Sequence, residues 1–524
     1  MITTVTLSIQ RCIVLLILIC DIAACIGQTQ IAIGASDPKV IEFVRIEPFE
    51  NIRLSKTILT GFQCLSTALE TADIVHFPRS PQYNAEQSHY WSGQQAQDLL
   101  PTCRIVPATT IQLSHVVKHL VQSNVSFAVQ SGGHASVIGA SNMNDGIVVD
   151  LHRLNQIEIS ADRKSVIVGV GSRWLDVYLA LEPYGLTVPG ARSGSVGVGG
   201  FLLGGGLSWL SNYRGWACDS ITEFEIVLAS GESVKANETS HSDLFWALKG
   251  SGGIFGIVTS VTLSTVHTGE VYGGGIVYDA ADLESLLEAL HDENHRTTTS
   301  SEVATYLSFG VLPDQQEMNI VAYSMDRSTN HSASVTGAFA GIPQKWNNQR
   351  MMNYSTSAAE IGPPQDRGRR GTKVTHTMKS DVAAMKHIVH TFQHRTGTIG
   401  LYGTDVAGMT LQPLPIAHIK GRDNVLGLSS QSEPLIIASV ELLWTDRDRD
   451  ELFTSLARDL YLAMVKVTKT YRVGHPFVYL NYAAAYQKPL ETYGEKSVKR
   501  MRRTQLMYDP AKAMSRLRRG AFEL

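Results

Sequence analysis

Residues Gln130–Ala140 read QSGGHASVIGA, in which two glycines lead directly into a histidine and a third glycine follows. Glycine has no Cβ atom, so its backbone reaches positive φ angles and its N–H groups approach a ligand closely. A strand that ends in Ser-Gly-Gly can therefore form a nest of N–H groups that holds an anion such as a pyrophosphate. The sequence predicts a ligand site at this turn, with His134 beside the ligand.

Two further glycine clusters follow, GSVGVGGFLLGGGLS at 194–208 and KGSGGIFGIVT at 249–259. One such cluster alone is explained better by turns and tight packing, but three clusters indicate a large, extended cofactor. None has the form GxGxxG after a strand, and none carries the lysine of GxxxxGK[ST]. The sequence thus supports neither a Rossmann dinucleotide site nor a P-loop.

The overall composition is that of a globular protein. The chain has 524 residues, 44% of them hydrophobic, and a formal net charge of -3. No broad cationic field is present to attract nucleic acid or anionic lipid, so we expect neither nucleic-acid binding nor stable membrane association.

The N-terminus, MITTVTLSIQRCIVLLILICDIAACIGQ, has the layout of a secretory signal. Arg11 precedes a short apolar run, and small residues follow before Gln28, which predicts a signal peptide at 1–27. A retained membrane anchor is the alternative because the positive end is weak, but Asp21 leaves the run short for a membrane span. We therefore expect a secreted protein.

An oxidising compartment makes the remaining cysteines informative, because two of Cys64, Cys103 and Cys218 are expected to pair. Cys64 and Cys103 flank a polar stretch, whereas Cys218 lies in the apolar context GWACDSI, where a free buried thiol is common. We predict a Cys64–Cys103 disulfide. Four N-glycosylation sequons fit the same compartment, although their number is only weak support for secretion. They are at Asn124, Asn237, Asn330 and Asn353.

The pattern of strands and helices predicts two α+β regions. From 101 to 270, β-rich runs such as EFEIVLASG alternate with helical segments such as TIQLSHVVKHLVQ. A second domain is expected at 271–470, with a strand in PLIIASVELLW and helices in DLESLLEALHDENH and DRDELFTSLARDLYLAMV. The interval 361–373, IGPPQDRGRRGTK, is predicted to be a loop.

Several other functional classes are disfavoured. The basic stretch 495–520 suggests nucleic-acid binding or a localisation signal, but a helix with a solvated positive face, ending near Tyr508, suits a secreted chain better. No GxSxG elbow supports a serine hydrolase. The histidines on one predicted helical face lack both HExxH spacing and a completing cysteine, so we expect no metal at His387, His390 and His394.

Five motifs together resemble one family: QSGGHA, the long second glycine cluster, SDLFWALKGSGGIFGIVT, YLNYA and YDP. In order and spacing they are similar to the FAD-linked oxidoreductases with a PCMH-type flavin domain, the berberine bridge enzyme-like group, particularly its fungal members. The resemblance implies an α+β fold with a two-lobed flavin domain. Residues 28–98, 99–270 and 471–524 would form that domain, and 271–470 would place an antiparallel sheet over the isoalloxazine.

The resemblance also assigns residues to the cofactor. His134 would bond covalently to the 8α methyl of FAD, while the second covalent link of many relatives uses a cysteine where this chain has Ser193. We therefore expect a single link. Ala135 and Ile254 depart from the usual polar residues, and a small β-branched residue at Val196 is typical of oxidases in this family. The other FAD contacts implied are Ser131, Gly132, Gly133, Gly199, Gly200, Gly256, Val258 and Asn481.

Oxidation of an alcohol or amine carbon also needs a base over the flavin ring. The YLNYA motif makes Tyr482 the first candidate and Tyr479 the second, and a base of this kind needs a lowered pKa, supplied by a nearby cation or by the flavin. Glu441 is the third, because Ser439 and Glu441 alternate onto one face of a strand. A buried structural role for either tyrosine, and a surface ion pair for Glu441, explain these residues equally well.

The predicted function is a monomeric FAD-dependent oxidase of a small molecule such as an intermediate of specialised metabolism. Hydride would pass to flavin N5, and O2 would reoxidise the flavin. One alternative is a carbohydrate oxidase. The other is a cyclase or binding scaffold that keeps the flavin fold without net redox turnover.

Overall fold

The structure is a computed structural model that describes residues 61, 64, 72–296, 302–313, 318–328, 338–339, 341–361, 368–398, 401, 405–520 and 522–524. These residues belong to one compact unit, which spans 54–524. The predicted signal peptide at 1–27 and the sequon at Asn330 lie outside the described residues.

The first sheet contains the strand that leads into QSGGHA. Its order is β1-β2-β4-β3, and β4 pairs in parallel with both β2 and β3. Every residue of β4 is buried, the apolar Ile147, Val148 and Val149 as well as Asp150, which pairs with Arg104. The elements of this part are β1 (Val75–His76), α1 (Pro81–Gln87), α2 (Gly93–Asp98), β2 (Cys103–Ile105), α3 (Thr110–Gln122), β3 (Phe127–Gln130) and β4 (Ile147–Asp150).

The second sheet is antiparallel, in the order β5-β6-β10-β8-β9, and β7 pairs with β11 beside it. The second glycine cluster contains α5, and the third cluster follows α7 and runs into the start of β10. The elements here are β5 (Ile157–Ile159), β6 (Ser165–Gly169), α4 (Trp174–Leu181), β7 (Leu186–Thr187), α5 (Val198–Leu203), α6 (Ser211–Arg214), β8 (Ile221–Val227), β9 (Ser233–Asn237), α7 (Ser242–Leu248), β10 (Ile257–Ser264) and β11 (Val266–His267).

The third sheet is also antiparallel and has the order β15-β12-β14-β13-β18-β19-β17-β20, with β16 pairing with β12. Helices α8, α10 and α12 contribute to its own apolar core. The elements are β12 (Val271–Tyr278), α8 (Leu283–His295), β13 (Val303–Val311), β14 (Asn319–Asp326), β15 (Gln344–Asn347), β16 (Arg350–Met352), α9 (Tyr354–Glu360), β17 (Arg370–Lys379), α10 (Val382–Gly397), β18 (Val406–Leu414), α11 (Ile416–Ile419), β19 (Leu435–Trp444), α12 (Asp450–Tyr471) and β20 (Gly474–His475).

The C-terminal segment returns to the first sheet. After α13 (Glu495–Tyr508) and α14 (Ala513–Leu517), the N–H of Arg519 donates to the carbonyl of Phe127 at 2.8 Å. Within the basic stretch 495–520, helix α13 ends at Tyr508, as expected. This hydrogen bond joins the C-terminal segment to β3. That residues 471–524 form one domain with residues 28–98 and 99–270 stays a prediction.

The α+β fold class is confirmed, and one local prediction is wrong. The interval 361–373 was expected to be a loop, but β17 begins within it at Arg370. The Arg370 side chain is almost fully buried and pairs with carboxylates of Asp98 and Asp450. Since these partners neutralise the guanidinium, the strand can start at a charged residue inside a Gly- and Arg-rich stretch.

The predicted disulfide is confirmed: Cys64 and Cys103 are bonded, and Cys218 is a free, buried thiol. Burial raises the pKa of the Cys218 thiol well above its ordinary value, which makes it unreactive. Among the helices that the structure describes, none combines the length and the apolar character needed to cross a membrane.

Candidate active site

The first and second glycine clusters meet backbone to backbone. A Cβ atom on Gly132 would lie 2.4 Å from both the N and the Cα of Gly197, so neither position has room for a side chain. Gly133 has a φ of 66°, a left-handed conformation that favours glycine. The Ser131 hydroxyl donates to the carbonyl of Val170 at 2.6 Å. The turn after β3 is thus held against the second sheet, and its glycines are explained by this close approach.

The His134 side chain is oriented by one residue from the segment between α1 and α2 and by one from the second glycine cluster. Its ring stacks on the indole of Trp91, with 5.1 Å between centroids and 18° between planes. Its Nε2 lies 3.2 Å from the Ser195 hydroxyl, which lies 3.0 Å from the Ser193 hydroxyl. The structure therefore brings together His134 and Ser193, the two positions that the sequence related to covalent attachment.

A buried charge network supports the strand that carries this turn. Arg104 on β2 is fully buried and donates to Asp150 Oδ2 at 2.8 Å, to Gln87 Oε1 at 3.1 Å and to Tyr90 Oη at 3.2 Å. It also donates to Gln130, the last residue of β3. Burial raises the pKa of Asp150, but its hydrogen bond from His152 and the charge of Arg104 outweigh this effect and lower it. The network fixes the end of β3 in position.

Tyr482 lies at the centre of a cluster of cations and amides. Its hydroxyl accepts hydrogen bonds from Arg192 Nη2 at 3.0 Å and from Gln412 Nε2 at 3.1 Å. The Lys373 ammonium lies 4.0 Å from the centroid of its ring. Three separate parts of the fold supply these groups: the segment just before the second glycine cluster, β18 and β17. The arrangement places two positive charges beside one phenol.

The electrostatics of this cluster favour the ionised phenol. Burial raises the pKa of Tyr482, but the charges of Arg192 and Lys373 and the hydrogen bond from Gln412 outweigh it. The pKa of Tyr482 therefore lies below the ordinary value for tyrosine. A lowered pKa increases the fraction of phenolate at a given pH, and the phenolate is the form of this half-buried tyrosine that can act as a general base.

Tyr479 has the opposite environment. Its side chain is 1% exposed, and burial raises the pKa of its hydroxyl. That hydroxyl accepts hydrogen bonds from the N–H of Leu207 and from Asn481 Nδ2, each at 3.1 Å. Asn481 also donates to the carbonyl of Phe201 at 3.0 Å. Tyr479 and Asn481 thus hold the YLNYA segment against the second glycine cluster.

Glu441 on β19 forms an ion pair with Lys373, with 3.4 Å between Oε1 and Nζ. Its side chain is 39% exposed, so it reaches solvent as well as the Tyr482 cluster. Ser439 on the same strand lies 2.6 Å from the Thr410 hydroxyl. This face of β19 therefore borders the cluster, and Glu441 contacts it through Lys373.

The remaining predicted FAD contacts lie along the second and third glycine clusters. Gly199 would place a Cβ 3.3 Å from the Ser131 hydroxyl, whereas a Cβ on Gly200 would meet no protein atom within 4 Å. Gly256 precedes β10. In that strand the buried Val258 pairs with Ile226 of the neighbouring β8. Ala135 accepts a hydrogen bond through its carbonyl from Gln95 Nε2 at 2.7 Å.

These features fit an extended cofactor. The backbone borders open space at Gly200, and the buried hydroxyls of Ser172 and Ser251 have no hydrogen-bond partner within the described residues. Such hydroxyls are suited to bind a polar ligand. In the part of the chain that the structure describes, no group of three or more His, Cys, Asp or Glu could hold a metal ion.

Three residues of the site were not predicted from the sequence: Arg192, Lys373 and Trp91. Arg192 directly precedes Ser193 in VPGARSGSVGVGG, where a charge between glycines in an apolar stretch was a usable signal. Lys373 fell in the interval predicted to be a loop. Trp91 carries no motif, and only the fold brings its indole to His134.

Comparison with known proteins matches residues 101–237 to the FAD binding domain. The FAD-dependent monooxygenase FUP4 from Fusarium proliferatum is 30% identical, over 80% of this chain and 84% of that protein. The FAD-dependent monooxygenase tpcD from Cochliobolus heterostrophus is 29% identical, over 89% of this chain and 93% of that protein.

Solved structures share the fold at lower identity. 6-Hydroxy-D-nicotine oxidase from Arthrobacter nicotinovorans is similar with a TM-score of 0.72 and 18% identity, over 84% of this chain and 96% of that one. Berberine bridge enzyme from Eschscholzia californica is similar with a TM-score of 0.71 and 15% identity, over 86% and 97%. Xylooligosaccharide oxidase from Myceliophthora thermophila has a TM-score of 0.70 and 18% identity, over 87% and 98%.

Proposed function

Because this chain belongs to the FAD-linked oxidoreductases of the berberine bridge enzyme-like group, we propose that it oxidises a small organic molecule and uses O2 as the final oxidant. When bound, FAD supplies the acceptor for a hydride from an alcohol or amine carbon. The observation that carries the proposal is the Tyr482 hydroxyl, held by Arg192 and Gln412 beside Lys373. A specialised-metabolite intermediate is the proposed substrate class.

Tyr482 is the proposed base. It takes the O–H or N–H proton of the substrate, and the charges of Arg192 and Lys373 stabilise the phenolate. Glu441 holds Lys373 through an ion pair and is a positioning residue. The second tyrosine, Tyr479, has a raised pKa and a structural role in fixing the segment. These roles favour Tyr482 over Tyr479 and Glu441 as the catalytic base.

Cofactor attachment is proposed through His134 alone. The imidazole is oriented by Trp91 and Ser195, which suits a side chain that bonds to one fixed atom of a ligand. Ser193 has a hydroxyl where a second link would need a thiol. The other proposed FAD contacts come from the glycine clusters and the YLNYA segment: Ser131, Gly132, Gly133, Gly199, Gly200, Gly256, Val258 and Asn481.

The proposed setting is the secretory pathway, with the mature monomeric chain beginning after residue 27. The Cys64–Cys103 disulfide supports this proposal, because disulfides persist in oxidising compartments. The third sheet begins with β12 at Val271, which supports a domain boundary at about residue 270.

Anaerobic titration of the purified flavoprotein with candidate substrates tests the function. We expect bleaching of the flavin by the true substrate and, after oxygen is admitted, one equivalent of hydrogen peroxide. Tyr482→Phe should slow the bleaching about 10²- to 10⁴-fold, whereas Tyr479→Phe should act mainly on stability. Product formation without bleaching or peroxide would instead indicate a cyclase. Bleaching by a member of a panel of oligosaccharides would indicate a carbohydrate oxidase.

The names of the relatives add monooxygenation as a second candidate. A monooxygenase would incorporate one oxygen atom of O2 into the product. Turnover under isotopically labelled O2 separates the two, because the proposed oxidase leaves all labelled oxygen in hydrogen peroxide.

A further inference from the structure

A cavity next to Tyr482 is lined by several hydrogen-bond donors. Its lining includes Arg192, Trp209, Tyr306, Gln412 and His418, and no Asp or Glu is among the described residues that line it. Because a cavity of this kind offers positive charge and N–H groups, it is suited to an electron-rich, negatively charged ligand.

Arg192 is the source of the charge. Only its Nη2 is engaged, by Gln412 Oε1 at 2.8 Å and by Tyr482 at 3.0 Å. Its guanidinium carbon lies 4.4 Å from the ring centroid of Tyr306 and 5.6 Å from that of Trp209. Among the described residues it has no carboxylate partner, and its Nε and Nη1 have no hydrogen-bond acceptor. A half-buried cation of this kind lacks the counter-charge that would offset its partial desolvation.

Two further orphan groups line the same cavity. The indole Nε1 of Trp209 is buried without a hydrogen-bond acceptor in the described structure. Neither ring nitrogen of the 1% exposed His418 has a partner there. Burial, together with the charge of Arg422, lowers the pKa of His418 to about 3, so the ring is neutral and carries one N–H donor. Buried polar groups without protein partners are expected to meet a ligand or water.

We propose that the substrate is an organic oxyanion, with a carboxylate or acidic enolate or phenolate oxygen that binds Arg192 in this cavity. The proposal rests on the proposed function, since it places the reacting O–H or N–H of the same molecule at Tyr482. The free Nε and Nη1 of Arg192 can form a paired contact with the anionic oxygens. The N–H groups of Trp209 and His418 then donate to further oxygens of the substrate.

The experiment compares two probes of similar shape, benzoate and benzamide, by the change that each causes in the visible absorption of the oxidised holoenzyme. We expect benzoate to bind at least about tenfold more tightly, as one charge-assisted contact implies. In Arg192→Met this preference should fall to about one. Arg192→Lys, which keeps the charge without the fork, should retain part of it.

Arg500→Met is the matched control. Arg500 also lies over an indole, 3.8 Å from the ring centroid of Trp246, but it is an exposed residue of α13. It should keep the full preference. Flavin content and thermal unfolding identify any Arg192 variant that fails to fold, and Trp209→Phe then serves as the second test, with weaker benzoate binding expected. Equal affinity of the wild type for both probes, or binding of neither, overturns the proposal. Because no turnover is needed, this result is independent of whether the oxidase function holds.

Discussion

Arg192 Nη2 lies 3.0 Å from Tyr482 Oη, although the two residues are 290 positions apart in the chain. The arginine lies two residues before the second glycine cluster, and the tyrosine lies in the segment that returns after the third sheet. Their contact therefore forms only when the glycine-rich turn, the third sheet and the C-terminal segment are assembled. Because the guanidinium has no carboxylate partner among the described residues, its charge acts on the phenol and on whatever enters the cavity.

Lys373→Met tests the electrostatic control of Tyr482. The wild-type rate of anaerobic flavin reduction should rise with pH and level off below the ordinary tyrosine pKa of about 10, because Tyr482 must be deprotonated to act as a base. Removing the ammonium removes one cause of the lowered pKa, so the rise should move to higher pH. Lys379→Met changes the other end of the same strand, where the lysine pairs with Glu433, and should leave the profile unchanged. An unshifted profile in Lys373→Met contradicts the assignment.

His134→Ala tests covalent attachment. Acid-precipitated wild-type protein should stay yellow, while the variant should release its FAD into the supernatant. Ser193→Ala is the control, because its hydroxyl lies near Ser195 but is not an expected link, and it should keep the flavin bound. Free flavin from the wild type, or loss of attachment in Ser193→Ala, would overturn the single-link proposal.

The sequence predicted the α+β class, α3, α8, the strand β19 and the disulfide, because each depends on local periodicity or on composition. The YLNYA motif also made Tyr482 the first candidate for the catalytic base. It missed the β17 start because the partners of Arg370 come from α2 and α12, far away in the chain. Arg192 and Lys373 were missed for the same reason: their role is set by the side chain that the fold brings beside them.

Arg104→Met tests the network beneath the His134 turn. Removing the guanidinium leaves the fully buried Asp150 with only the partly exposed His152 as a partner, so we expect a loss of about 3–5 kcal/mol in the free energy of unfolding. The folded-state pKa of Asp150 is lowered. Its stabilisation is therefore complete above the unfolded pKa of about 3.9 and is lost as pH falls through the folded value.

Lys235→Met removes an exposed partner of Glu223 and provides the comparison, with an expected loss below about 1 kcal/mol. Denaturant unfolding measures both variants. If Arg104→Met costs no more than Lys235→Met, the network does not support the strand as described.

The third residue after Ser193, Val196, tests the use of oxygen. It is partly exposed at the edge of the core, and its carbonyl accepts the N–H of Trp174 at 3.0 Å. If O2 approaches the reduced flavin past this side chain, one added methylene in a packed site is enough to obstruct it. We expect rapid reoxidation of the substrate-reduced wild type by air, a large loss of that rate in Val196→Leu, and little change in flavin reduction.

Val196→Ala is the control for Val196→Leu, because a smaller side chain keeps the path open and should leave reoxidation fast. If Val196 only packs the glycine-rich turn, both variants lose stability and neither changes its reactivity with oxygen. Stopped-flow reoxidation, measured together with thermal unfolding, separates these outcomes. Slow reoxidation of the wild type itself would make the enzyme a dehydrogenase, since an open path at Val196 would then not be sufficient for reaction with O2.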